Sequence, residues 1–357
     1  MSAPLLNFSG EFKNPLGKIL LVEDVESIQL AIRDFLFTRY DVTSVASAEE
    51  ALSLLAESDD IKLLITDIKL PEMNGLELAR LARKLVENIP IILITSYDVN
   101  EFIDTIREQE FSQVITKHGR MSLKEIEVTI QKMLTGDIFG VEKYFPDFKI
   151  HEIALSEFPR ALANRTLYSI KIKSLQERSV VSERLASQLK NQKKTSEAVI
   201  KLVLDEITSN AIFRAPLTDT GEFKYQTKNL HDDILHKHQN IIFEEEDWFT
   251  LEFGVYDDWV IITCIDPHGR LTQKEILFRL HRHLATDAET GLPMGLHDSH
   301  GRGLFLLREH LSSVIYNIER GRKTEVICLY NTVAQQAYKN ISIYELPVVP
   351  TVDEHHE

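Results

Sequence analysis

Two cysteines in 357 residues, Cys264 and Cys328, are too few and too far apart to frame a disulfide scaffold or a thiolate metal cluster. Each lies inside an apolar strand-like run, where a small buried thiol is the ordinary occupant. Basic charge is also scarce. Forty Lys and Arg stand against 55 Asp and Glu, a net −15, which argues against a general nucleic-acid binder, since that function needs a basic stripe. No run approaches the ~18–20 apolar residues of a membrane span. The opening stretch, MSAPLLNFSGEFKNP, has no basic start leading into a long apolar segment, so no secretory signal is expected. These absences predict a soluble cytoplasmic protein without nucleic-acid or membrane partners.

What is present is 43% hydrophobic, ample for two cores, over a length that favours two domains. The acidity is uneven: residues 1–140 hold 14 Lys/Arg against 23 Asp/Glu. A cation site would therefore find most of its carboxylates in the first domain. From Lys18 to about Met133, short apolar runs (KILLV, IKLLIT, PIILIT, QVIT) alternate with amphipathic stretches such as Ser27–Phe37 and Leu76–Leu85. Runs of that length suit strands buried on both faces, and the intervening spacing is helical. The pattern predicts a doubly wound parallel sheet, with its sites beyond the carboxyl ends of the strands.

Residues 136–149, GDIFGVEKYFPDFK, break the rhythm with Gly, Pro and aromatics and are expected to be a linker. Beyond them a largely helical region is predicted from about Glu157 to Phe213, then a polar insertion (Pro216–Asp247). Paired strands Trp248–Tyr256 and Trp259–Ile265 should turn at Asp257-Asp258. A helix, Thr272–Leu284, carries a capping box of Thr272 and Glu275. A helix after Gly303 and a hairpin, Val314–Glu319 with Thr324–Tyr330, complete an α+β sandwich of helices on a mostly antiparallel sheet. Residues 1–16 and 334–357 are expected to be a peripheral extension and tail.

In the first half, four strand ends carry chemistry. Glu23-Asp24 follow ILLV, Asp67 follows LLIT, Thr95 follows IILI and Lys117 follows QVIT. A parallel sheet brings all four to one edge. Carboxylates gathered there form a hard oxygen site suited to Mg²⁺. A carboxylate beside a bound cation and an ammonium can attack phosphorus, because both neutralise the transferring group. This set, with the loop DIKLPEMNG from Asp67 to Gly75, resembles the response-regulator receiver family across residues 17–135. The resemblance implies a five-stranded α/β domain with Asp67 as phospho-acceptor. Glu23, Asp24, Asp67 and the backbone carbonyl of Lys69 would hold Mg²⁺, and Thr95 and Lys117 would meet the phosphoryl oxygens. Val114 stands where the family usually has an aromatic switch residue, and His118 where a proline follows the lysine.

In the second half, Glu206 and Asn210 lie four residues apart on one face of a predicted helix that Thr195 would cap. The strand WVIITCI ends at Asp266, followed by Pro267-His268-Gly269. Gly301 and Gly303 open a helix at whose positive end backbone N–H groups could approach a phosphate. Thr324 begins the last strand. Together these pieces look like the GHKL ATPase fold, most of all the anti-sigma-factor serine kinases, across residues 150–332. The resemblance implies Mg·ATP as cofactor. Asn210 would serve the metal, Glu206 would act as base, Asp266, Gly269 and Thr324 would hold the nucleotide, and Gly301 and Gly303 the phosphates. The sequence departs from the family at the first glycine box, D-P-H-G-R. The alternative is a GHKL-like scaffold that has lost ATP and only holds a partner. The partners implied are a cognate histidine kinase or phosphotransfer protein, an antagonist protein or sigma factor, and a second copy of the chain.

Other histidines are weaker signals. His281, His283, His297, Asp298 and His300 lack the spacing that organises a zinc site. His231, His236 and His238 lie in the polar insertion. His151-Glu152 resembles the phospho-accepting dipeptide of sensor kinases but adjoins a strand-like segment instead of a dimerising helix.

Overall fold

Alternating apolar runs and amphipathic stretches need helices to cover both faces of whatever sheet the runs form. The computed structural model describes residues 17–117, 122–192, 195–225, 241–284, 307, 310–333 and 340–346. The chain divides into two units, Met1–Ile138 and Phe139–Glu357. In the first, strands β1 (Lys18–Val22), β2 (Asp41–Val45), β3 (Ile61–Asp67), β4 (Ile91–Thr95) and β5 (Gln113–Thr116) pair in parallel, in the order β2-β1-β3-β4-β5. Helices α1 (Glu26–Leu36), α2 (Ala48–Glu57), α3 (Gly75–Leu85), α4 (Ile103–Glu108) and α5 (Ser122–Thr135) alternate with them.

One sheet face buries Ile19, Leu21, Leu63, Ile65, Ile92 and Ile94 against Ile32 and Leu36 of α1 and Ile126 and Ile130 of α5. Leu20 and Leu64 point the other way and are as fully buried. That two-sided burial is why the strands read as unbroken apolar runs. β2, DVTSV, has no fully buried residue; as an edge strand it has no need of an apolar run, which hid it from a search for such runs. The strand order reverses between β1 and β3, so a crevice opens at their carboxyl ends.

The second unit is a sheet of β6 (Lys149–Glu152), β7 (Thr166–Ile172), β8 (Phe249–Tyr256), β9 (Trp259–Asp266), β10 (Ser313–Glu319), β11 (Lys323–Asn331) and β12 (Ile341–Leu346), in the order β12-β10-β11-β9-β8-β7-β6. The outer pairs, β10/β12 and β6/β7, are parallel and the inner pairs antiparallel. Helices α6 (Leu175–Asn191) and α7 (Glu197–Phe213) pack on each other and on β7 and β9, while α8 (Gln273–Leu284) meets β12. Among the described residues no helix is long and apolar enough to cross a membrane.

Three expectations are corrected here. The region Glu157–Phe213 is not helical throughout. It contains β7, whose alternating burial answers the pleat of a sheet, and α7 is capped by Ser196, not Thr195. Residues 139–149 are no free linker. Val141, Tyr144 and Phe145 are buried, the Phe145 ring lies 5.2 Å from Tyr256 and 5.9 Å from Trp259, and the Gly140 N–H donates to Glu325 Oε2 at 3.0 Å. The aromatics that disturbed the helix–strand rhythm are packing groups. Finally, residues 334–357 include β12, whose Ile341, Ile343 and Tyr344 are at most 4% exposed. Six residues paired with a distant strand carry no local signal.

Beneath the 139–148 segment lies an acidic cluster. Glu325 is 2% exposed and accepts from Asn317 Nδ2 at 2.6 Å. Burial, reinforced by Glu325 and Glu142, raises the Glu252 carboxyl to about 7. The unfolded chain releases that proton near ~4.3, so its stabilising protonation is complete at low pH and lost as pH rises through about 7. Both tryptophans of the chain, Trp248 and Trp259, lie in this unit and report its unfolding. Urea midpoints from their fluorescence should fall between ~pH 5 and ~pH 8 in the wild type and fall less in Glu252→Gln; equal slopes would refute the assignment. By the same readout, Ile343→Ala should cost about 2–4 kcal/mol, whereas a peripheral tail would show no change.

Candidate functional site

Five predicted side chains meet at the carboxyl edge of the first sheet. Glu23 leaves β1 fully buried and Asp24 stands exposed beside it; Asp67 ends β3 at 5% exposure, and Thr95 ends β4 fully buried. Lys117, one residue beyond β5, reaches across the edge. Its Nζ lies 2.5 Å from Glu23 Oε2 and 2.7 Å from Asp67 Oδ2. Local structure holds each partner. The Glu23 Oε1 accepts the Val25 N–H, and Gln29 Nε2 donates to the carbonyls of Glu23 and Val45 at 2.9 and 3.0 Å, tying the acid-bearing turn to β2. The Lys69 N–H donates weakly to Asp67 Oδ1 at 3.4 Å. Thr95 Oγ1 accepts the Tyr97 N–H at 3.0 Å. Gly75 is required by close approach, since a Cβ there would fall 1.8 Å from the Asp67 carbonyl oxygen.

Burial raises the Glu23 carboxyl above its usual range, opposed by the Lys117 ammonium and reinforced by Asp67. A cation would relieve this strain, and the donors fit one. Glu23, Asp24 and Asp67 each offer an oxygen within 4.8 Å of the others, the hard-oxygen set Mg²⁺ takes with water completing its shell. The second carboxylate group, Glu244, Glu246 and Asp247, is already bridged by an ammonium. Lys224 Nζ lies 2.6 Å from Glu244, 3.0 Å from Glu246 and 3.0 Å from Asp247. Sequence reasoning missed the surroundings of Lys69, whose Nζ sits 3.5 Å over the Tyr97 ring and 3.7 Å from Glu101; such a pairing has no spacing rule to find it.

The second unit opens a cleft of about 210 Å³ between α7, α8 and the paired ends of β9 and β11. Asn210, Asp266 and Thr324 line it, with Asp266 and Thr324 directly opposite in register. Glu206, half-buried one turn before Asn210, has its carboxyl raised by burial. Asp266 Oδ1 accepts the N–H groups of His268 and Gly269 at 3.0 and 3.3 Å, and burial raises this carboxyl too. Gly269, at φ +58°, serves packing. A Cβ there would lie 2.0 Å from the Glu319 carbonyl oxygen, where the β10–β11 turn passes. Asn210 Oδ1 accepts from Arg279 Nη1 at 3.4 Å. Arg214 and Arg270 also line the cleft; the sequence reading named neither Arg214 nor Arg279. Gly301, Gly303, His118, His231, His236, His238, His297, Asp298, His300 and the His283 side chain lie outside the described residues. Cys264 and Cys328 are buried, as expected, with thiols pushed up by burial.

Residues 19–129 match the response regulator receiver domain family. A chemotaxis protein CheY homolog from Campylobacter jejuni is 43% identical over 84 residues, which is 22% of this chain and 64% of that protein. The chain thus spans under two thirds of that relative's length. The response regulator protein FleR of Pseudomonas aeruginosa is 34% identical over 132 residues, 36% of this chain and 27% of that protein. Among solved structures, a receiver domain protein from Methanospirillum hungatei is 29% identical and covers 33% of this chain and 95% of its own, with a TM-score of 0.30.

Lys117 is the only cation within ion-pair distance of Glu23 and Asp67 among the described residues. Removing it in Lys117→Ala leaves two buried carboxylates facing each other, which should cost the first unit about 3–5 kcal/mol at neutral pH. Lowering the pH toward ~5 should return part of this loss, because the folded state, with Glu23 raised, takes up a proton before the unfolded chain does. Far-UV circular dichroism melts at the two pH values check both statements; a variant as stable as wild type at neutral pH would refute them.

Proposed function

We propose that this chain, whose N-terminal unit is a response regulator receiver domain, is a phosphorylation-controlled signalling protein in which Asp67 is the phospho-acceptor. The observation that carries this reading is the Asp67 carboxylate at the end of β3, 2.7 Å from the Lys117 ammonium and grouped with Glu23 and Asp24. Receiver domains take their phosphoryl group from histidine kinases or phosphotransfer proteins. In that reaction an Asp67 oxygen attacks phosphorus, the P–N bond of the phosphohistidine breaks, and the imidazole leaves with the bonding pair. Mg²⁺, held by Glu23, Asp24, Asp67 and the Lys69 carbonyl, would supply charge neutralisation to the transferring oxygens. Lys117 balances the same charge, and the Thr95 hydroxyl, whose oxygen accepts the Tyr97 N–H, has its own proton to donate to a phosphoryl oxygen.

The second unit is proposed as the output, of GHKL type, binding a nucleotide in the cleft of Asn210, Asp266 and Thr324, with Glu206 as base. Such an output would phosphorylate a Ser or Thr of an antagonist protein or hold a sigma factor. The engagement of Asn210 Oδ1 by Arg279 favours the second reading, a domain that binds its partner without Mg·ATP. Cleft size supports part of a ligand at most: about 210 Å³ is below the roughly 300–1,000 Å³ of a complete small-molecule site.

Acetyl phosphate with Mg²⁺ should add one acid-stable, base-labile phosphoryl group to the full chain. Asp67→Asn keeps the shape but removes the nucleophile, so labelling should drop to background. Undiminished incorporation in that variant would reject the assignment.

A further inference from the structure

Arg214 closes α7 and Arg279 rises from the middle of α8, and both line the same cleft. Arg279 is partnered. It pairs with Glu275 on its own helix and donates to Asn210 Oδ1. Arg214 is half-buried; its backbone N–H caps α7 on the Asn210 carbonyl, but among the described residues its guanidinium has no hydrogen bond or ion pair. Burial and the neighbouring Arg279 both disfavour its charge, with Glu206 and Glu275 only partly compensating. Two guanidiniums lining one partly desolvated cleft and repelling each other are a standing cost unless an anion completes them. Arg270 adds a third guanidinium at the exposed rim.

The carboxylates near the cleft, Glu206 among them, only partly cancel this charge. Glu275 is committed to Arg279. Asp266 Oδ1 accepts two backbone N–H groups, and its carboxyl is raised by burial. What remains is the Arg214 guanidinium without an ion-pair partner among the described residues, lining the same cleft as Arg279; planar forks of N–H donors of this kind suit the paired oxygens of a phosphate group. Asn210, the residue placed to serve a metal, instead has its oxygen turned to a guanidinium. A divalent cation at that oxygen would sit against Arg279 and be repelled by it.

We infer that the cleft binds a phosphate-bearing anion through Arg214 and Arg279, without a divalent cation. The inference goes beyond the nucleotide reading and stands or falls separately from it. Charge on the ligand is neutralised by protein guanidiniums, so chelation of Mg²⁺ strengthens binding by leaving the ligand more negative.

Calorimetric titration of the full-length chain tests this with two probes, pyrophosphate and ATP, each in EDTA and in excess Mg²⁺. At least one probe should bind in EDTA, and Arg214→Gln should weaken it about 10- to 100-fold, the worth of a charged hydrogen bond or two. Arg322→Gln, which alters an exposed arginine paired with Glu319, should leave the affinity unchanged and excludes a general charge effect. Matching thermal melts of Arg214→Gln and wild type exclude misfolding; if that variant melts early, Arg279→Gln takes its place. Binding that appears only with Mg²⁺ overturns the inference while leaving the nucleotide reading intact. Binding in EDTA that neither arginine variant weakens also overturns it, as does silence from both probes in EDTA. Pyrophosphate binding without ATP binding supports the inference and rejects the nucleotide reading.

Discussion

One buried ammonium governs the carboxyl edge of the first sheet. Lys117 lies within ion-pair distance of Glu23 and Asp67 at once, and its own side chain is 7% exposed. Burial pushes the Glu23 carboxyl toward its neutral form, and the Lys117 ammonium opposes that shift. The arrangement makes demands on everything around it. β1, β3 and β5 must hold a common edge, the Gln29 side chain must pin the β1–α1 turn to β2, and Gly75 must let α3 begin against the Asp67 carbonyl. A one-residue slip in any of these strands would turn its polar end to the opposite face.

The two units place charge in opposite ways. The first gathers carboxylates around one cation and leaves Asp24 exposed, a geometry that invites a second, metallic cation. The second lines its cleft with three guanidiniums against two carboxylates that are already engaged. Local net charge thus distinguishes a site suited to a hard metal from one suited to an anion. The chain's overall −15 conceals the second of these, because a cleft's potential depends on which few side chains converge there.

Legibility in the sequence followed the range of the interactions. The receiver's strands were readable because parallel strands buried on both faces must be apolar throughout, and its site residues because each follows such a run directly. The β8–β9 hairpin was readable from Asp257-Asp258, the β10–β11 hairpin from its two apolar runs, and α8 from Thr272, whose hydroxyl accepts the Glu275 N–H at 3.0 Å. What escaped was non-local. β12 is defined by its parallel partner β10, and β7 by β8, while β6 is an exposed outer strand. The 139–148 segment looked like a linker until its aromatics met Tyr256 and Trp259.

By itself the sequence determined the alternation of elements in the first unit and the identity of the groups at its strand ends, because hydrophobic period and strand termini are local properties. Its resemblance to the GHKL fold, and not any spacing rule, grouped Asn210, Asp266 and Thr324, which line one cleft. Only the tertiary structure decided that Arg279 faces Asn210, that Arg214 lines the same cleft without an ion-pair partner among the described residues, and that Gly269 yields space to the backbone at Glu319. The physical reason is the same in each case. Charge pairing and close approach act between atoms brought together from distant parts of the chain, over a few ångströms, and no spacing along the sequence encodes that distance.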